Sequence, residues 1–231
     1  MYHLLFDLDR TLWDFDGNAE VTFRSMFDAY GLEQVCGTDW HSFHETYRVI
    51  NDALWEAYRN GTIEKEVLRI QRFVLPLQHY GVASPGRLAE KLSDYYVYEG
   101  PKQTGLMPGA RHLLDYLAGR GYAMSVITNG FSEAQLPKMR TAGIDRYFEN
   151  VFLSEDLGVQ KPDLRFFELA LARLGLEPEE CLVVGDDLKV DIEGARRAGI
   201  PQLFYNYKLL EDLPFRPTYM VHNLCEIESI L

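Results

Sequence analysis

The sequence predicts an α/β fold, a parallel sheet with an all-helical module inserted after its first strand. Three observations predict it. Short apolar runs recur along the chain, helical patterns stand between most of the later runs, and residues 18–96 break that rhythm with no convincing strand. Strands that alternate with helices need crossover connections, and crossovers make the sheet parallel.

The runs "YHLLF" (2–6), "YAMSVI" (122–127), "VFLS" (151–154), "CLVVG" (181–185), "QLFYN" (202–206) and "TYMVH" (218–222) read as buried strands. Inside the module, Trp40, Phe43, Tyr47, Ile50, Leu54 and Tyr58 recur in steps of three and four, a helical stripe. Thr38 is its expected cap and Gly61 its stop. "TIEKEVLRIQRFVLPLQHYG" and "SPGRLAEKLSDYYVYEG" follow similar rules. Further on, "PGARHLLDYLAGRG" starts with Pro108 and ends at glycine. "SEAQLPKMRTAG" opens with Ser132 and Gln135 at the spacing of a capping box, and Pro137 is expected to kink it. "PDLRFFELALARLG" and "DIEGARRAG" complete the set of glycine-terminated helices.

A chain of 231 residues has room for one large domain or a domain with an insertion, and 47% hydrophobic content allows a sizeable core. No apolar run reaches membrane-span length, and no basic stretch leads a long apolar segment at the N-terminus, so neither a membrane span nor a secretory signal is expected. Cys36, Cys181 and Cys225 are scattered, odd in number and without metal spacing, which fits a reducing cytoplasm. The net charge of -12 argues against a nucleic-acid-binding surface. An anionic substrate would need a local cation. Nothing in the sequence sets the oligomeric state.

The chemistry gathers where open parallel sheets bind ligands, outside the carboxyl ends of the strands. In "FDLDRT", Asp7 and Asp9 follow the first strand, with Thr11 beyond them. Two anions this close repel unless a positive charge sits between them or one stays protonated. Thr128 and Asn129 end the second strand in "ITNG", Lys161 lies beyond the third in "LGVQKP", and Asp186, Asp187 and Asp191 follow the fourth in "VVGDDLKVD". Each piece alone has an ordinary explanation as a turn, a helix cap or a solvated lysine. Together they deliver acid, hydroxyl, amine and acid to one edge, in strand order. His41 and His44 have helical spacing but no third ligand, so a surface pair is expected rather than zinc.

These residues resemble the haloacid dehalogenase-like hydrolase superfamily along nearly the whole chain. The resemblance implies a Rossmann-like core of three α/β/α layers (1–17 and 97–231) and a helical cap domain (18–96). It also implies a magnesium-dependent phosphomonoesterase. Asp7 would be the nucleophile and form an aspartyl-phosphate, Asp9 the acid and base, and Thr128 and Asn129 phosphate contacts. Lys161 would neutralise charge on Asp7 and the phosphoryl group. Mg2+ would be held by Asp7, the backbone carbonyl of Asp9 and Asp186, with Asp191 acting mainly through water. Asp187 is expected to cap a helix, and Asp14 and Asp16 to serve the cap hinge. Arg10 departs from the pattern by standing where glycine is commonest.

Within that superfamily, "LWEAYRNGTIEKEVLRIQRF" (54–73) and "ITNGFSEAQ" look like the 5′-nucleotidase branch, which implies a nucleoside monophosphate as the small phosphorylated substrate. Phe15, Trp55, Tyr58 or Phe73 could stack on a base, although aromatics at helical spacing are more often core. Arg69 and Arg72 have both substrate-binding and solvated-face readings. A phosphosugar or phosphoglycolate phosphatase, or a phosphomutase, would use the same core motifs. A phospho-accepting signalling receiver is disfavoured, because Asp9 would promote loss of the phosphoryl group that a receiver must keep.

Overall fold

The computed structural model describes residues 1–231. Its six strands are β1 (His3–Phe6), β2 (Met124–Thr128), β3 (Asn150–Leu153), β4 (Cys181–Gly185), β5 (Gln202–Tyr205) and β6 (Tyr219–Val221). All pair in parallel, in the order β3-β2-β1-β4-β5-β6. The chain therefore winds outward from β1 to one side, then returns and winds outward to the other. β1 lies at that reversal, pairing Leu4 with Met124 on one flank and with Leu182 on the other. Such a reversal opens a crevice at the carboxyl ends of the strands.

The chain divides into two compact units, Met1–Asp16 with Thr104–Leu231, and Gly17–Gln103. The second unit is helical, built from most of α1 (Phe15–Ala29) with α2 (Leu32–Cys36), α3 (Trp40–Arg59), α4 (Lys65–His79) and α5 (Gly86–Glu99). Its core is strongly aromatic. Phe23, Phe43, Tyr47 and Phe73 are buried, with Phe23 and Tyr47 ring centroids 4.4 Å apart. Phe73 is thus a core residue. The guanidinium of Arg72, also buried, lies over Phe73 and Tyr96. Asp39, rather than Thr38, caps α3: its carboxylate accepts from the Ser42 N–H, a shorter reach than the threonine one position earlier would have.

In the first unit, β1 is buried on both faces, as a central parallel strand must be. Side chains alternate across it. Leu4 and Phe6 join one apolar layer with Leu113, Leu114 and Leu117 of α6 (Ala110–Gly119). Leu5 joins the opposite layer with Phe166 and Phe167. Three more helices follow β2 and β3: α7 (Ser132–Thr141), α8 (Ser154–Leu157) and α9 (Leu164–Leu174), the last of which carries both phenylalanines. A π-type turn, Leu188–Glu193, runs into α10 (Gly194–Arg197). No helix is long and apolar enough to cross a membrane.

One expectation about α7 changes. Its first turn carries no capping box; Phe131 stands at the N-cap without a side-chain bond, and the Gln135 side chain points elsewhere. Pro137 lies inside the helix, which continues to Thr141.

Candidate active site

Asp7 leaves the end of β1, where its N–H still donates to the Val184 carbonyl of β4, 2.9 Å away. The next four residues turn sharply. Leu12 and Trp13 N–H groups return to the Leu8 carbonyl, and Arg10 N–H donates to Trp13. Arg10 takes φ 67°, the left-handed conformation that glycine adopts freely and a long side chain adopts at some cost. Its guanidinium forks onto Asp16 and lies 4.4 Å over the Phe15 ring. The turn that glycine would supply is therefore kept, with side-chain contacts offsetting the backbone strain.

Lys161 is the electrostatic centre of the site. It is 1% exposed. Its ammonium donates to Asp7 Oδ1 at 2.8 Å, Asp191 Oδ1 at 2.6 Å and the Ile127 carbonyl at 2.9 Å. Three protons thus meet three acceptors. Burial opposes the charge, but Asp191 and Asp7 outweigh it and raise the ammonium above the usual lysine range. Asn129 fixes the Lys161 backbone from β2, donating Nδ2–H to the carbonyl and accepting the N–H, both at 2.8 Å. The side-chain amide of Asn129 is therefore committed to placing Lys161.

Thr11 is fully buried, with Oγ1 3.2 Å from Asp7 Oδ2 and 3.3 Å from Asp186 Oδ1. Asp186 follows β4. Asp187 caps the next turn, accepting from Lys189 and Val190 N–H groups, and its own N–H donates to Asp191 Oδ2. Asp191 curls back over Gly185, where an added Cβ would lie 2.5 Å from Asp191 Oδ2. Gly185→Ala should therefore displace Asp191 from Lys161, costing about 1–3 kcal/mol by overpacking and reducing turnover at least ~10-fold. Thermal melting and phosphate-release assays check both effects; an unchanged protein would show that the close approach is unimportant.

One oxygen each from Asp7, Asp186 and Asp191 fall within 4.8 Å of one another. Burial, with Asp7 and Asp191 nearby, pushes the Asp186 carboxyl up to about 8. Burial also pushes Asp191 up to about 7, against Lys161 and aided by Asp7 and Asp187. Asp7 is raised by burial too, although Lys161 pulls it down. Asp7 and Asp191 both bond to the one ammonium, and with Asp186 beside them the group carries an excess of up to two negative charges when all three are ionised. Hard oxygen donors with that excess suit a hard divalent cation such as Mg2+.

Asp9 turns to α7. Its carboxylate receives Lys138 Nζ at 2.7 and 3.1 Å and Gln135 Nε2 at 2.9 Å. The same Gln135 nitrogen lies 2.7 Å from Thr128 Oγ1, which also accepts from Gly130 N–H. With its oxygen accepting twice, Thr128 keeps its own proton to donate. Gly130 serves space rather than turning: a Cβ there would fall 2.2 Å from Gln135 Nε2. Gln135 and Lys138 are the residues that sequence reasoning missed. Their spacing of three on one helix puts them on one face, and that was the available signal.

The first unit thus brings Asp7, Thr128, Lys161, Asp186 and Asp191 to the rim between β1, β2 and β4, with Asp9 alongside. A family model of haloacid dehalogenase-like hydrolases matches residues 2–199. The chain belongs to that family. Among its relatives, pyrimidine 5′-nucleotidase PynA of Streptococcus pneumoniae is 35% identical, the match covering 99% of this chain and 94% of the relative. Pyrimidine 5′-nucleotidase YjjG of Escherichia coli is 31% identical over 99% of this chain and 96% of its own. The solved structure of the putative HAD-hydrolase YfnB from Bacillus subtilis, described as bound to magnesium, superposes with a TM-score of 0.87 at 29% identity, covering 99% of this chain and 97% of that one. As a haloacid dehalogenase-like hydrolase, the chain is an enzyme, and its fold is that of its family.

Proposed function

We propose that this phosphoric monoester hydrolase removes phosphate from nucleoside monophosphates through an aspartyl-phosphate on Asp7. The observation that carries the mechanism is the Asp7 carboxylate, held at 2.8 Å by a buried lysine, with a second carboxylate two residues on. Near-full-length similarity to two pyrimidine 5′-nucleotidases supports the substrate class.

On this reading, Asp7 Oδ attacks phosphorus and the ester oxygen leaves, splitting one hard displacement into two. Asp9 gives the leaving oxygen a proton. It then takes one from the water that hydrolyses the aspartyl-phosphate. Thr128 donates its free O–H to a phosphoryl oxygen. Lys161, saturated at rest, neutralises Asp7 and stiffens the site, and Asn129 keeps Lys161 in place. Asp7 and Asp186, with the Asp9 carbonyl, would hold Mg2+, and Asp191 would act on it mainly through water. When bound, the cation supplies charge neutralisation and polarises the phosphoryl group. The helical unit serves as the substrate-selecting cap, with Trp55 and Tyr58 as candidates to contact a base.

The test is phosphate release from pyrimidine and purine nucleoside monophosphates, sugar phosphates and phosphoglycolate, each with magnesium. A pyrimidine nucleotide should lead the sugar phosphates by at least ~10-fold in kcat/KM, the scale that a few pocket contacts provide. A sugar phosphate or phosphoglycolate matching or exceeding the nucleotides would replace the substrate reading and leave the chemistry of Asp7 standing.

A further inference from the structure

We propose that Gln135 and Lys138 are positioning residues that aim the Asp9 carboxylate, above all for the half-reaction in which it takes a proton from water. The inference rests on the aspartyl-phosphate reading given above and deepens it.

Lys138 is 7% exposed. A lysine is seldom buried unless it is paired, and pairing with one carboxylate rarely recovers the whole cost of leaving water. An ion pair of this kind is a poor choice for stability alone. It is a good choice for orientation: the ammonium meets both Asp9 oxygens, at 2.7 and 3.1 Å, while the Trp13 ring 4.4 Å away closes another side. The carboxylate cannot rotate without losing one of those contacts.

Gln135 adds a second point of attachment. It is fully buried, and its Nε2 reaches both Asp9 Oδ2 and Thr128 Oγ1. Reversing the amide would set its oxygen against the carboxylate, so the hydrogen bonds decide the orientation. That orientation leaves Gln135 Oε1 buried without a partner, which counts against the fold. The amide thus tolerates an unsatisfied acceptor in order to tie Asp9 to Thr128. Gly130 opens the space in which it does so. Asp9 and the phosphate-facing hydroxyl are in this way held by one helix face.

The two halves of the reaction make different demands on Asp9. With 4-nitrophenyl phosphate, Asp7 forms its bond to phosphorus while nitrophenolate departs as the anion, so no proton from Asp9 is needed. In the second half, the water oxygen bonds to phosphorus, the bond from phosphorus to Asp7 breaks, and the released proton goes to Asp9. Asp7 regains its carboxylate, phosphate leaves, and Asp9 loses the proton to solvent. A misaimed Asp9 should therefore slow the second half selectively.

The experiment compares the wild type with Lys138→Gln, Lys138→Arg and Gln135→Ala, using 4-nitrophenyl phosphate and magnesium in stopped flow with acid quench. Lys138→Gln should lower the steady-state rate by about 10–100-fold while first-turnover nitrophenolate release changes by less than about threefold, since a misplacement near 1 Å costs on that scale. A burst should appear, with phosphoenzyme accumulating. Lys138→Arg should recover part of the loss, and Gln135→Ala should shift the balance in the same direction to a smaller extent. Equal losses in both phases, no loss, or an arginine variant no better than glutamine would each overturn the proposal. Rates scaled to burst amplitude count only folded enzyme; if Lys138→Gln does not fold, an equal loss in both phases of Gln135→Ala overturns the proposal by itself. If the wild type forms no phosphoenzyme on Asp7, the underlying mechanism fails instead.

Discussion

Asp7→Asn should reduce phosphate release by about 10^4-fold or more while leaving the protein folded, as loss of an attacking nucleophile does in other hydrolases. The amide is nearly the same size and can still accept from Lys161, so packing at the end of β1 is kept. It cannot attack phosphorus to give an acyl phosphate. Nor should the change weaken the fold. Asp7 is buried within reach of Asp186 and Asp191, and removing its charge leaves Lys161 still bonded to Asp191 and to the Ile127 carbonyl. Metal-free melting temperature should be equal to or higher than that of the wild type, and circular dichroism unchanged. Near-normal phosphate release from the variant would reject Asp7 as the nucleophile.

Chelating divalent cations should abolish activity, and magnesium should restore it. The same carboxylates offer a second measurement that does not depend on turnover. Asp186 and Asp191 have folded values near 8 and 7, well above an unfolded carboxylate. Between roughly pH 4 and pH 8 the folded state accordingly binds more protons than the unfolded state, and stability falls as pH rises. The stabilising contribution is complete below the unfolded carboxylate range and is lost on passing through 7 and 8. In chelator, the melting temperature should drop by several degrees from pH 5 to pH 9. Magnesium should flatten that slope, because a ligand at about 100 times its Kd adds roughly 2.7 kcal/mol to the folded state alone. A flat profile in chelator, or full activity in metal-free buffer, would remove the cation from the account.

Much of this arrangement was legible from residue order. The six apolar runs became the six strands to within a residue or two; the four inner strands are buried throughout and so leave an unbroken apolar signature, while the edge strands β3 and β6 are partly exposed. Sheet topology then put the polar residues after β1, β2 and β4 on one rim. What escaped was decided by side-chain direction. Gln135 sat at capping-box spacing, and nothing in the local sequence said that the glycine at 130 would let it fold back to Asp9 instead. Nothing near Lys138 in the sequence marked it out, because the groups it meets, Asp9 and the Trp13 ring, lie far away in the chain. The cap of α3 moved by one residue, within the usual uncertainty at helix ends. Arg10 at a position favouring glycine was visible, but its tether to Asp16 and Phe15 was not.

The position of β1 has a consequence for the life of the protein. It is made first yet lies in the middle of the sheet, and the strands that flank it begin only at Met124 and Cys181. During synthesis Asp7 emerges early and waits without its counter-charge until Lys161 has left the ribosome, and without its fellow carboxylates until Asp186 and Asp191 follow. Contacts spanning so much of the chain are slow to close. The acidic cluster is therefore completed late, and a polypeptide interrupted before those last two aspartates carries Asp7 without the carboxylates that gather around it.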